Sequence, residues 1–144
     1  MIERLNLLLR GELAAVAGYQ KALRALKKRA ESDSEHFLRL ASDHQRTVTV
    51  LQGSVQARGG APLVAAGPWE GSNDAVLKAE NATMLESKEF LSALLDVEQR
   101  GLTEYEDSRE WLDEDARELV ELELIPRQKR HVAGLTAMLA HLAA

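Results

Sequence analysis

Residues 12–19, ELAAVAGY, and residues 98–105, EQRGLTEY, decide the fold. Each stretch begins on a glutamate and ends, seven residues on, on a tyrosine, and each sits in a run whose apolar residues recur at alternating steps of three and four. Seven residues is close to two helical turns, so glutamate and tyrosine share one helix face. Leu5, Leu8, Ala15, Ala22 and Leu26 occupy that face around Glu12 and Tyr19, and Leu91, Leu94, Leu95 and Leu102 occupy it around Glu98 and Tyr105. A face of this kind packs against neighbouring helices, which places both glutamates and both tyrosines inward. Each must then find a partner, since a buried unpaired polar group costs on the order of 1–3 kcal/mol.

Working outward, the first helix is expected from about Ile2 to Arg29. Residues 32–35, SDSE, read as a capping box that opens a second helix, with Phe37, Ala41, His44, Val48, Leu51 and Val55 on one face. Gly59 and Gly60 supply its stop. Residues 59–73, GGAPLVAAGPWEGSN, are the stretch densest in glycine and proline and read as a long crossover, followed by a short extra helix over 73–84. A third helix runs from Lys88 to about Arg109, and residues 111–115, WLDED, turn the chain. The fourth, from about Glu114 to Leu142, carries Leu124, Gln128, His131, Leu135 and Met138 on its seam. Pro126 inside it removes one amide donor and should kink it. The expectation is a single all-α domain over 1–144: an antiparallel four-helix bundle of two hairpins joined by the crossover.

Composition agrees with this and narrows the function. Hydrophobic residues make up 45% of the 144, aromatics only 4%, and Ala and Leu dominate, a mixture that favours helix over sheet. A net charge of −5 with both signs interleaved offers no basic stripe for phosphates, so no nucleic-acid partner is expected. The absence of cysteine excludes disulfides, iron–sulfur clusters and thiol chemistry. Residues 1–10, MIERLNLLLR, are too short in their apolar part and too early interrupted by Glu3 for a signal peptide, and no run is long enough to span a bilayer. A cytoplasmic protein without membrane contact is expected.

The two hairpins echo each other: Glu12, Tyr19 and His44 in the first are answered by Glu98, Tyr105 and His131 in the second. Together with the Asp43–His44 pair that precedes a leucine-containing turn and GGAP, the GPW of the crossover, and LIPRQKRH at 124–131, these stretches resemble an uncharacterised bacterial family of ferritin-like four-helix bundles, a domain of unknown function. The resemblance covers nearly the whole chain and implies a ferritin-like fold without an established activity. Ferritin-like di-iron proteins place a lone glutamate on each of two helices and a Glu-x-x-His on each of the other two. Glu12 and Glu98 match the lone glutamates, and His44 and His131 match the histidines. Ala41 and Gln128 stand where the pattern has its other two carboxylates. The ligand set implied is therefore Glu12, His44, Glu98 and His131 around one divalent ion, iron, manganese or zinc, rather than around a pair.

Axial depth argues against gathering all four. With a turn near Ser32, the levels of Glu12 and His44 differ by roughly 12 Å, and with a turn near Leu112 those of Glu98 and His131 differ by about 8 Å. The leading reading is a non-catalytic bundle whose Glu/Tyr/His core is structural, with Tyr19, Tyr105 and Gln128 satisfying the carboxylates and no cofactor. The alternative is a metalloprotein holding one divalent ion, with redox or stress-related activity, those three residues backing the ligands. An acid–base site built on a buried glutamate is a third reading, so enzymatic activity stays open. An iron-storage cage is least supported, because the bridging carboxylates are missing. His36 and His141 read as surface residues, Trp69 and Trp111 as buried loop anchors, and the ELVELEL glutamates, Glu118 to Glu123, as a solvated flank. Leu7, Leu9, Leu13 and Val16 widen the apolar stripe of the first helix and suggest a homodimer surface.

Overall fold

A computed structural model describes residues 1–26, 31–66 and 88–143. Among the described residues there is helix and no strand: α1 (Ile2–Leu26), α2 (Glu31–Ala57), α3 (Lys88–Ser108), a 3₁₀ turn (Arg109–Trp111), α4 (Glu114–Leu119), a π turn (Val120–Leu124) and α5 (Ile125–Ala143). α4, the π turn and α5 run on as one length of helix, which completes the four-helix bundle. α1 packs chiefly on α2 and α3 on α5, with α1 and α3 also in contact. Trp69, the 73–84 helix and residues 67–73 of the crossover lie outside the described residues. No helix among the described residues is long and apolar enough to cross a membrane.

α2 opens earlier than expected, at Glu31. α2 already includes Ser32, so SDSE lies within the helix rather than at its cap. At the far end of α2 the sequence reading holds. Gly59 takes φ 77°, its amide donates to the Gln56 carbonyl at 2.9 Å, and the Gly60 amide reaches the Val55 carbonyl at 3.1 Å. A Cβ on Gly60 would lie 2.8 Å from Ile2 Cγ2, so the glycine also lets the crossover start against α1. Asn6 fixes that start by donating to the Ala61 carbonyl at 3.2 Å and accepting from the Leu63 amide at 3.1 Å.

The second hairpin turns at Leu112, which is extended (φ −105°, ψ 148°), and Asp113 then caps α4 by accepting from the Ala116 amide at 2.9 Å. Arg58 grips the same carboxylate with Nε and Nη2, each at 2.8 Å, which ties the end of α2 to the turn. The Arg58 hydrogen bond and the amide cap hold the Asp113 carboxyl down at about 2. Trp111 departs from expectation. It is 58% exposed, and what it offers is a ring face to the Arg4 guanidinium, 5.3 Å from its centroid.

Pro126 lacks the amide that would continue the α-helical ladder, and the chain answers one residue earlier. The Ile125 amide reaches back five residues to the Val120 carbonyl, closing the π turn, and Pro126 follows inside the first turn of α5.

Apolar seams close into two clusters. One gathers Tyr19, Phe37, Leu40, Leu91, Leu94 and Leu135; the other gathers Leu5, Leu9, Val48, Leu51, Val55, Tyr105, Val120 and Leu124 among others. Leu9 and Val16 are buried in the second cluster, and Leu7 and Leu13 are half-buried, so the chain itself covers most of the stripe that suggested a dimer surface. Glu118, Glu121, Glu123 and His141 are exposed, as expected. His36 is not a simple surface residue: it is half-buried, its Nε2 is enclosed without a hydrogen-bond partner, and a Cβ on Gly134 would sit 3.3 Å from its ring.

Candidate metal centre

The seams that bury leucine above and below carry polar side chains at mid-bundle, and the helices bring these together. Glu12, Tyr19, His44, Glu98, Tyr105, Gln128 and His131 are each no more than 6% exposed. α1 supplies Glu12 and Tyr19, α2 His44, α3 Glu98 and Tyr105, and α5 Gln128 and His131. All seven residues expected from the sequence to face inward do so.

His44 lies at the centre. Its Nδ1 donates to Glu12 Oε2 at 2.5 Å and its Nε2 donates to Glu98 Oε1 at 2.7 Å. Carboxylates only accept, so both ring nitrogens carry hydrogen and the imidazole is a buried cation between two anions. Burial pushes His44 down, but the charges of Glu98 and Glu12 outweigh it and hold the imidazole well above its ordinary value. Burial likewise pushes Glu98 up, and the positive His44 and the hydrogen bonds around it bring the carboxyl far below the ordinary range.

The carboxylates are dressed by further donors. Tyr19 donates to Glu98 Oε1 at 2.6 Å and Tyr105 to Glu12 Oε1 at 2.5 Å. Both phenols are held well above their ordinary values, by burial first and by the adjacent carboxylates next. The Tyr19 ring also stacks on His44, centroids 5.5 Å apart. Gln128 donates from Nε2 to Glu98 Oε2 and to the Glu98 backbone carbonyl, the latter at 2.8 Å. Gly101 makes room for this, since a Cβ there would stand 3.0 Å from Gln128 Nε2. The glycine within EQRGLTEY is thereby explained.

His131 is placed differently. Its ring lies 4.8 Å from that of His44, and its Nε2 bonds Asp43 Oδ2 at 2.9 Å. Its Nδ1 points to Glu98 Oε2 at 3.6 Å, beyond hydrogen-bond reach, and is buried with no hydrogen-bond partner. His44, Glu98 and His131 each offer a ligand atom, and these atoms lie within 4.8 Å of one another. Glu12 stands behind His44, on the nitrogen turned away from Glu98. Asp43 was quoted in the sequence as the neighbour of His44 but not as a site residue. The available signal was an acidic residue one step off a buried seam, within reach of a helix across the interface.

No protein-family model matches the chain, and no curated protein matches its sequence. The fold has a solved counterpart: a bacterioferritin from Rhodobacter capsulatus, described with a metal-free dinuclear site and a heme iron, superposes with a TM-score of 0.75 at 20% identity, over 96% of this chain and 82% of that one. At that identity the likeness establishes the ferritin-like four-helix fold alone.

Proposed function

We propose that the bundle core holds one divalent metal ion between His44 Nε2, His131 Nδ1 and one or both oxygens of Glu98. The observation that carries this is the His131 nitrogen: a buried ring nitrogen, without a hydrogen-bond partner, facing a buried carboxylate oxygen at 3.6 Å. Buried polar atoms without partners are few in native proteins. Metal–ligand bonds of roughly 2.0–2.2 Å leave neighbouring ligand atoms about 3–4 Å apart, so that spacing suits two atoms sharing an ion. The closer 2.7 Å contact of His44 with Glu98 is closed by a proton, which a metal would displace. Two imidazoles and a carboxylate suit zinc, or iron or manganese in the +2 state, and such an ion would supply Lewis-acid or redox chemistry. Glu12, through Tyr105 and His44, orients the donor set rather than completing it. The proposal includes a single ferritin-like domain over residues 1–144, of the uncharacterised bacterial family that the sequence resembles.

Elemental analysis of protein purified without chelator, followed by zinc titration of the stripped protein, tests it. One ion per chain is expected in the wild type and background content in Glu98→Ala and His131→Ala variants that remain helical. Background metal and no zinc binding in the wild type would refute it.

One observation favours the second reading, a structural polar core. All four oxygens of Glu12 and Glu98 already accept a hydrogen bond from a protein donor. On that reading the network fixes helix register in a core rich in alanine and leucine, and the wild type carries no ion.

A further inference from the structure

We infer that Asp43 is a positioning residue that fixes which nitrogen of His131 is available inside the bundle; the inference rests on the metal reading above. The Asp43 carboxylate meets His131 Nε2 at 2.9 Å. It can only accept, so Nε2 carries the hydrogen. A neutral imidazole has one N–H, and once Nε2 holds it Nδ1 is left with its lone pair facing Glu98. That is the tautomer that can ligate.

The arrangement around Asp43 shows why this side chain suits the task. Asp43 precedes His44 on α2, so one turn of α2 contributes a donor through His44 and the orienting carboxylate for a donor on α5. Its side chain is 31% exposed, whereas that of His131 is 5% exposed, which puts the carboxylate at the boundary between solvent and the enclosed ring. The backbone beside it is tied across the same interface. Thr47 Oγ1 donates to the Asp43 carbonyl at 3.1 Å and accepts from Arg127 Nη1 at 3.0 Å, and Arg127 precedes Gln128 on α5. α2 and α5 are thereby held at one level where the carboxylate meets the imidazole. His44 is backed in the same manner, by Glu12 on its Nδ1 at 2.5 Å. Each histidine thus has one nitrogen turned towards Glu98 and the other on a carboxylate. Carboxylates behind ligating histidines set ring orientation and basicity, and removing one typically lowers metal affinity by about 10–100-fold.

The test uses the full chain labelled with ¹⁵N. Long-range ¹H–¹⁵N spectra of the chelator-treated protein at pH 8 report the His131 tautomer without any metal, and zinc titration reports affinity. The wild type is expected to show protonated Nε2 and unprotonated Nδ1. Asp43→Ala is expected to give a mixture of tautomers and to bind zinc about 10–100-fold more weakly. Asp43→Asn keeps an oxygen that accepts the same hydrogen bond and should retain the tautomer and part of the affinity, which a loss through misfolding would not reproduce. A wild-type His131 with hydrogen on Nδ1, or an Asp43→Ala protein with unchanged tautomer and zinc affinity, would overturn the inference. If the wild type binds no zinc while its tautomer is as expected and is lost in Asp43→Ala, the metal reading fails and the role of Asp43 in orienting the ring stands.

Discussion

The two buried tyrosines look equivalent in sequence, but their removal should not be equivalent. Tyr19 donates to Glu98 Oε1 at 2.6 Å, an oxygen that also accepts from His44 at 2.7 Å. Tyr105 donates to Glu12 Oε1 at 2.5 Å, and among the described residues that oxygen has no other donor. A hydrogen bond to a charged group contributes about 1.5–3 kcal/mol, and a charged acceptor left bare in the interior adds its desolvation penalty. Tyr19→Phe keeps the ring in its cluster and leaves Glu98 with His44 and Gln128, so its cost should be near the lower end, about 1.5 kcal/mol. Tyr105→Phe keeps its ring as well but strands one oxygen of a carboxylate that is 6% exposed, so about 3 kcal/mol is expected. For a chain of this length that corresponds to falls of about 5 °C and about 10 °C in melting temperature. Urea unfolding at pH 7 with chelator present, at equal m-values, measures the difference free of any metal. Equal destabilisation within about 0.5 kcal/mol, or the reverse order, would refute the count of donors on which the reasoning stands.

Glycine substitutions separate helix propensity from packing. Gly53, exposed in α2 with nothing within 4 Å of an added Cβ, should gain about 0.5–1 kcal/mol as alanine, whereas Gly101→Ala should gain nothing or lose stability because the methyl group meets Gln128 at 3.0 Å. Thermal unfolding of the two variants checks this, and an equal gain at both sites would mean that Gln128 does not need the space. In the metal-free protein the His44 ion pairs should shape stability against pH. The imidazole is raised above its ordinary 6.5, so its contribution is fully present below about 6.5 and is lost as pH rises through the raised value. Glu98 is depressed below its ordinary 4.5, so its contribution is present above about 4.5 and is lost as pH falls through the depressed value. Urea midpoints of chelator-treated protein should therefore decline towards alkaline pH, and a His44→Gln variant should lack that decline; a wild type with no alkaline decline contradicts the assignment.

Much of the fold was legible because bundle helices write their buried face into the sequence. The steps of three and four through Leu5, Leu8, Glu12, Ala15 and Tyr19 fixed which way α1 faces, and the same periodicity turned His44, Glu98, Tyr105, Gln128 and His131 inward. Gly59 and Gly60 marked the end of α2 for a backbone reason that composition alone carries. Surface assignments fared less well. Trp111 was expected to bury its indole and instead lies over solvent beside Arg4, and His36 was expected outside but is half enclosed against Gly134. A residue near a turn has its burial set by how neighbouring helices close over it, which periodicity within one helix does not encode.

Axial depth was the part of the site least legible, and two local features bear on it. α1 is described to Leu26 and α2 from Glu31, so Glu12 and His44 stand 14 and 13 residues from the facing ends of the two helices, and the level difference inferred from a turn at Ser32 vanishes. In the second hairpin the π turn at Val120–Leu124 does part of the corresponding work, its one extra residue removing about 1.5 Å of the roughly 8 Å expected. Bonding to the fifth residue back winds more chain into each turn, so the helix advances less along its axis before it delivers Gln128 and His131 to the level of Glu98. The sequence did hold a sign of it: Leu124 and Ile125 are adjacent and both buried, one inward residue more than an α-helical seam needs, directly before a proline that cannot donate. Pro126 had been read as a kink. The missing amide is better understood as the reason the ladder shifts to Val120 just ahead of it, and the extra residue taken up there draws His131 about 1.5 Å back towards the level of Glu98.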